Sequence, residues 1–291
     1  MANAITLFKK YISLLDEVYQ NASKTAVLDS DASLVRQGAG AGEIIIPKMS
    51  MDALADYARN SGYVDGSVTL TNETVPLNYD RGRSFTVDAM DNEETAGVAF
   101  GKLASEFIRT KVAAELDAFR FATYASASGI STGTAGTFSD GADVISELRT
   151  ATNKMDEDEV PMEQRVLFIT PGLYGMVQDL DTTNSKEVLN RFDSVVIVPQ
   201  SRFYTAIDLK DGSSSGEEAG GFAKAAGAVD INFMVVHAPA VMQYTKHTVS
   251  KIFRPEENQS ADGWKFVFRC YGLADVYENK VAGIYLSKKS A

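Results

Sequence analysis

One stretch of the chain is spelled like a nucleophile motif. Gly212-Ser213-Ser214-Ser215-Gly216 matches G-x-S-x-G, and Asp230 and His237 follow it in the chain order of a Ser-Asp-His hydrolase. In such enzymes the serine sits on a strained turn between a strand and a helix, which exposes its hydroxyl for attack. Here the match lies inside KDGSSSGEEAGG, a polar, low-complexity run with neither a strand entering it nor a helix leaving it. Residues 209–221 therefore read as a long flexible loop, and a serine hydrolase using Ser214 is the remote alternative.

The acids Asp156, Glu157, Asp158 and Glu159 could attract calcium. Consecutive acids, however, lack the D-x-D-x-D-G alternation that turns oxygens toward one centre, so they read as a solvated loop. His237 ends the apolar run NFMVV and His247 lies in TKHTV, neither with an evident partner. With the single cysteine Cys270 they are too few for a structural zinc site, and one cysteine cannot form an intrachain disulfide. Trp264 alternates with Phe266 and Phe268, which describes one aromatic face of a strand.

A third cluster is NYDRGRSFTVDAMDNEET, residues 78–95, where Arg81 and Arg83 flank Gly82 and the acids Asp91, Glu93 and Glu94 follow. A general acid needs a raised pKa, whereas carboxylates at a helix start stay ionised. Asp91 with Glu94 three residues on fits a capping box, and Arg81-Gly82-Arg83 reads as a turn or bulge whose guanidinium groups meet carboxylates. The stretch is a structural joint, and the sequence assigns no catalytic, cofactor-binding or metal-ligating residue.

The elements around these residues follow from periodicity. Ile5, Phe8, Ile12, Leu15 and Tyr19 make an amphipathic N-terminal helix, followed by a loose arm ending in QGAGAG. That glycine run lacks the lysine and Ser/Thr of a phosphate loop. Residues 43–90 alternate as long strands with a polar face, interrupted by MDALADYARN, which could be helical. From Asp91 to about Ala125 runs the strongest helical signal, with Phe100, Leu103 and Phe107 in one row and Ile108, Val112, Leu116 and Phe119 in another. An α/β segment follows: a helix from Ser139 or Asp140, the strand RVLFIT, a helix opened by Pro171, and the strands SVVIVPQ and INFMVV. The remainder reads as a closing β meander.

Composition limits the function. The net charge of −11 and the lack of a basic block argue against tight nucleic-acid binding, though an acidic wall would repel an enclosed polyanion. No run reaches the roughly 20 apolar residues that span a bilayer.

The order of arm, projecting hairpin, spine helix and α/β portion resembles the major capsid proteins of tailed bacteriophages with the Hong Kong 97-like fold. The resemblance is carried by EIIIPKMSMDALADYARNSGYVDGSVTLTNETVPLNYDRGRSFTVDAMDNEET, AFGKLASEFIRTKVAAELDAFRFATYA, RVLFITPGLYGMVQDL and the end from INFMVVHAPAV to AGIYL. It implies an α+β fold with an N-terminal arm at 1–30 and an extended β-hairpin loop at 31–90 that reaches over a neighbour. It further implies a peripheral domain with the spine helix at 91–138 and 250–291, and an axial α/β domain at 139–249. The implied function is a non-enzymatic, self-assembling icosahedral or prolate shell of hexameric and pentameric capsomers around double-stranded DNA, bound without specificity. Such a virion protein is assembled in the bacterial host cytoplasm, without a membrane or a cofactor. Arg81, Arg83, Asp91, Glu93, Glu94, Phe8 and Ile12 are the expected subunit contacts. The chain begins with the arm-like helix, so a separate scaffolding protein is expected, together with a portal. An encapsulin-like nanocompartment shell is the alternative within the same fold.

Overall fold

The computed structural model describes residues 23–29, 36–37, 43–57, 59–60, 62–94, 98–180 and 182–290. Phe8, Ile12, the N-terminal stripe and the QGAGAG run lie outside the described residues, as do the side chains of Glu93 and Glu94.

The first described elements are β1 (Arg36–Gln37), β2 (Glu43–Met51) and β3 (Val68–Pro76), paired antiparallel in that order. They form a narrow ribbon whose base is pinned by Ile44 and Val75 packing on Met242 and Leu273. Beyond the base, every described residue from Met49 to Asn72 except Gly62 is exposed. MDALADYARN is not helical at any of its described positions. An isolated turn of helix is unfavourable without a packing surface, and none is within reach here. The Asp52 amide instead donates to Ser67 O, and the Asp52 carboxylate accepts from the Ser67 amide, which closes the segment as a loop.

Strand β4 (Tyr79–Asp88) leads into α1 (Ala89–Glu94). This helix begins before Asp91: Asp88 Oδ1 accepts from the Met90 amide at 2.9 Å, so Asp88 caps it and Asp91 lies in its first turn. Nor is 81–83 a turn or bulge, because β4 keeps unbroken register with its neighbour strand from Tyr79 to Asp88. Gly82 is there for room. A Cβ at this position would stand 2.8 Å from Phe268 O.

The spine is α2 (Val98–Phe107), a π-helical turn (Ile108–Val112) and α3 (Ala113–Ser126), about 43 Å long at ~1.5 Å per residue. The π-turn was not foreseen. Ala104, Ile108, Val112 and Leu116 all bury into one cluster at four-residue steps. An α-helix would rotate such a row by about 40° per step, and one wide turn absorbs part of that drift.

After β5 (Ser131–Thr132), α4 (Gly141–Glu157) starts at the N-cap Asp140, whose side chain accepts from the Asp143 amide. It runs on through Asp156 and Glu157, so these two acids are helical instead of lying in a loop. Next come β6 (Arg165–Ile169), α5 (Pro171–Leu180) and α6 (Thr183–Leu189), the last held by a Thr182–Ser185 capping box. The chain then forms β7 (Ser194–Ile197), a small hairpin of β8 (Ile207–Leu209) and β9 (Phe222–Lys224), and β10 (Ile231–His237). It closes with β11 (Val241–Phe253), β12 (Gly263–Val276) and β13 (Ile284–Lys288).

These last strands are not a meander. β11, β12 and β4 make one three-stranded sheet, while β13 crosses to a five-stranded sheet ordered β5-β13-β10-β6-β7. One face of the larger sheet packs Leu167, Ile169, Phe233 and Val235 against helix residues such as Val144, Leu148 and Val177. The opposite face packs Val166, Phe168, Met234 and Val236 against Phe121 and Tyr124 of the spine. Burial on both faces explains the unbroken apolar runs RVLFI and INFMVV. The first half of the spine covers the three-stranded sheet through Phe107, Phe266 and Phe268, so one helix joins both cores.

Candidate assembly surfaces

Strand alternation gives the ribbon two unlike faces. Met49 pairs with Leu70 and Met51 with Val68, so these four side chains share one face, opposite the face of Ile44 and Val75 that packs on the body. All four are at least 60% exposed. At the end of the ribbon Leu54 is fully exposed, and Tyr57 and Tyr63 touch each other with ring centroids 4.9 Å apart. A two-stranded ribbon with a bare apolar face is marginal in water, and contiguous exposed apolar surface of this kind marks an interaction site.

The ribbon's base is braced by Arg81. Its Nε and Nη2 donate to both carboxylate oxygens of Glu115 on the spine at 2.7 and 3.3 Å, and its Nη2 also donates to Gly221 O. Burial alone would lower the Arg81 pKa, but the Glu115 hydrogen bonds and charge outweigh it and the guanidinium is held charged. Arg83 donates to Glu218 O at 2.9 Å. The arginines thus meet partners on the spine and on residues 210–221, whereas Asp91 lies at the start of α1.

A buried polar clamp, invisible in the sequence, holds residues 23–29. Asp117, fully buried, accepts from Ser23 Oγ, the Lys24 amide, the Thr25 amide and Thr25 Oγ1, and pairs with Arg202 at 3.1 Å. Arg120 donates to Thr25 Oγ1 and pairs with Asp29, whose pKa is raised by burial despite that charge. Gln243 donates to Thr25 O and Asp29 Oδ1 and accepts from Tyr124 Oη. The clamp joins residues 23–29, α3, β11 and the turn at Arg202.

The hydrolase residues are not brought together. Asp230 and His237 stand at opposite ends of β10, roughly 23 Å apart at the rise of a strand. Asp230 pairs with Lys224 and Lys289. Ser214 Oγ donates to Asp211, and this bond, with the Ser214 and Ser213 amides, holds the Asp211 carboxyl far below the usual range, where it is a poor base. The acid cluster is likewise dispersed: Asp156 pairs with Arg165 and Arg191, and Lys154 takes Asp158. Among the described residues no group of three His, Cys, Asp or Glu could hold a metal, and no helix is long and apolar enough to cross a membrane. Trp264 packs beside buried Phe266 and Phe268, as its alternation predicts, while His247 is exposed beside an irregularity in β11.

No family model and no curated protein matches the sequence. Solved structures do. The Gordonia phage Cozz chain covers 93% of this chain and 87% of its own at TM-score 0.60 and 11% identity. The capsid structure of Staphylococcus phage Andhra covers 91% and 83% at 0.57 and 10%. The virus-like particle from Pyrococcus furiosus covers 97% and 99%, again at 0.57 and 10%. Many further matches are tailed-phage capsid structures. Ribbon, spine and two-sheet body match these structures over most of their length, and the chain therefore has the Hong Kong 97-like fold, α+β in class.

Proposed function

We propose that the chain is a major capsid protein, one of many identical subunits of an icosahedral or prolate shell around a tailed phage's double-stranded DNA. The observation that carries this reading is the ribbon, whose bare face of Met49, Met51, Val68 and Leu70 needs another chain to cover it. A second copy is the occupant that fits. The covering surface then differs from the ribbon, and a heterologous contact of this kind repeats around rings and closes into shells.

In this reading residues 1–30 are the arm, 31–90 the extended loop, 91–138 with 250–291 the peripheral domain, and 139–249 the axial domain at the capsomer centre. Phe8 and Ile12 on the arm, and Asp91, Glu93 and Glu94 at the ribbon–spine junction, meet neighbouring copies. Arg81 and Arg83 set the ribbon's base at the same junction. The net charge of −11 suits a wall from which packaged DNA slides freely. Scaffolding and portal proteins complete the assembly in the bacterial host cytoplasm, and the virion is the final location. The encapsulin-like alternative draws on the apolar stripe at 5–19, outside the described residues.

Light scattering and negative-stain microscopy of the purified chain, alone and co-expressed with its scaffolding protein, test the proposal. Rings or closed shells support it, and DNA inside shells from infected or induced cells separates a virion from a protein-filled compartment. A chain that stays monomeric under all these conditions refutes it.

A further inference from the structure

The loop that spells a nucleophile motif has another use in this structure. No residue from 210 to 221 is buried, so no apolar contact holds the loop in place. It folds on itself. The Asp211 carboxylate accepts from the amides of Ser213 and Ser214, and the Glu217 carboxylate accepts from the Asp211 amide. The Glu217 amide donates to Ser214 O and the Gly220 amide to Glu217 O. A loop closed by its own hydrogen bonds keeps its shape whether or not anything touches it.

What it touches is β4. Arg81 and Arg83, two residues apart on the strand face that also carries Tyr79 and Phe85, reach Gly221 O and Glu218 O respectively. The loop is shaped around Arg83. A Cβ at Gly212 would lie 2.6 Å from Arg83 Nη1 and one at Gly220 3.3 Å from it, and both glycines have positive φ, at 77° and 65°. These glycines therefore serve two needs, the left-handed backbone and the space for a guanidinium.

We infer that residues 210–221 form a detachable latch, in which a preformed polar loop on the β8–β9 hairpin closes over the arginine pair of β4. The latch couples β4, at the base of the ribbon, to the separate two-stranded β8–β9 hairpin. It lies outside both apolar cores, so opening it breaks arginine–carbonyl hydrogen bonds at the surface and leaves each core packed. Arg81 remains tied to Glu115 when the loop is released, which keeps β4 on the spine while the hairpin moves. The loop can thus open and close over β4 without unfolding, a property that stands whether or not the chain builds shells.

Spin labels on cysteines introduced at Ser215 and Thr86, both exposed, with buried Cys270 left in place, report the latch as a distance distribution on the whole monomeric chain. The parent gives one narrow distance. Arg83→Ala broadens it several-fold while circular dichroism and the thermal midpoint stay within a few degrees of the parent. Gly212→Val keeps both arginines but fills the space of the Arg83 guanidinium and produces the same broadening. If the Arg81→Ala/Arg83→Ala double variant keeps the parent's narrow distribution, the latch does not exist. The readout needs no assembly, so a failure of the shell proposal leaves it intact.

Discussion

Asp117 of the spine accepts hydrogen bonds from both the amide and the hydroxyl of Thr25, a residue 92 positions earlier, at 3.1 and 2.7 Å. The same carboxylate pairs with Arg202, so a single buried charge ties residues 23–29 to the spine and to the turn at Arg202.

Removing that charge leaves Arg202 short of a counter-ion and the Ser23, Lys24 and Thr25 donors without an acceptor. Loss of one partner of a buried pair costs about 3–5 kcal/mol. Asp117→Ala is accordingly expected to lower the free energy of urea unfolding by that amount, and Thr25→Val by about 1–3 kcal/mol. A change below ~1 kcal/mol in Asp117→Ala would show that the clamp contributes little to the fold.

The Arg81–Glu115 pair joins ribbon base and spine through two hydrogen bonds in a partly buried setting. Lysine offers a point charge without the planar fork, so Arg81→Lys should recover less than half of the stability lost in Arg81→Ala. A double-mutant cycle with Glu115→Gln measures the coupling, expected at about 1–3 kcal/mol. Independent, additive effects would mean that the pair is incidental.

Acid should weaken the link from α4 to β6. Burial by itself would raise the Asp156 carboxyl, but hydrogen bonds from Arg165 and Arg191 outweigh it and lower the pKa below its ordinary value of 3.8. A depressed folded-state pKa means stability that is present above the unfolded value and lost as pH falls through the folded one. The urea midpoint of the parent should therefore drop below pH 4, and Asp156→Asn, weaker at neutral pH, should drop less. Parallel pH profiles for the two proteins would contradict this assignment.

Gly82→Ala is a test of close packing with no charge involved. The added methyl would press on Phe268 O across the β4–β12 pairing. A loss of about 1–3 kcal/mol is expected from such overpacking. An unchanged midpoint would show that the strands separate freely at this position.

Local patterns were legible in the sequence wherever burial was two-sided or a capping residue stood at the head of a periodic run. RVLFI and INFMVV read as strands because both of their faces are covered, and of the two helix starts the sequence offers, Ser139 and Asp140, the bond to the Asp143 amide selects Asp140. The start of α1 was misplaced because Asp88 and Asp91 are both acids ahead of a helical run, and only hydrogen bonding distinguishes them. The π-turn follows from a surface that must be matched across several turns, which no short window contains. Asp117 and Glu115 carry no local signal, since their partners lie 92, 85 and 34 residues away. The serine run was legible as a loop but its contacts were not, because its spelling is local while its partners Arg81 and Arg83 are 140 and 135 residues distant.

The exposed ribbon yields the most direct test of assembly. Met49 and Leu70 face each other across β2 and β3 on the bare side, while Ser50 and Thr69 form the next pair on the opposite side. Charge on the bare side must be desolvated when a second copy covers it, whereas the same charge on the polar side stays in water. Met49→Glu/Leu70→Glu should therefore leave the monomer's unfolding midpoint unchanged and abolish rings and shells in sedimentation and microscopy. Ser50→Glu/Thr69→Glu adds the same charge one position away on each strand and should assemble like the parent. Normal shells from the first variant would mean that the Met49 face is not the one covered, and failure of both would point to repulsion between ribbons instead of an apolar contact.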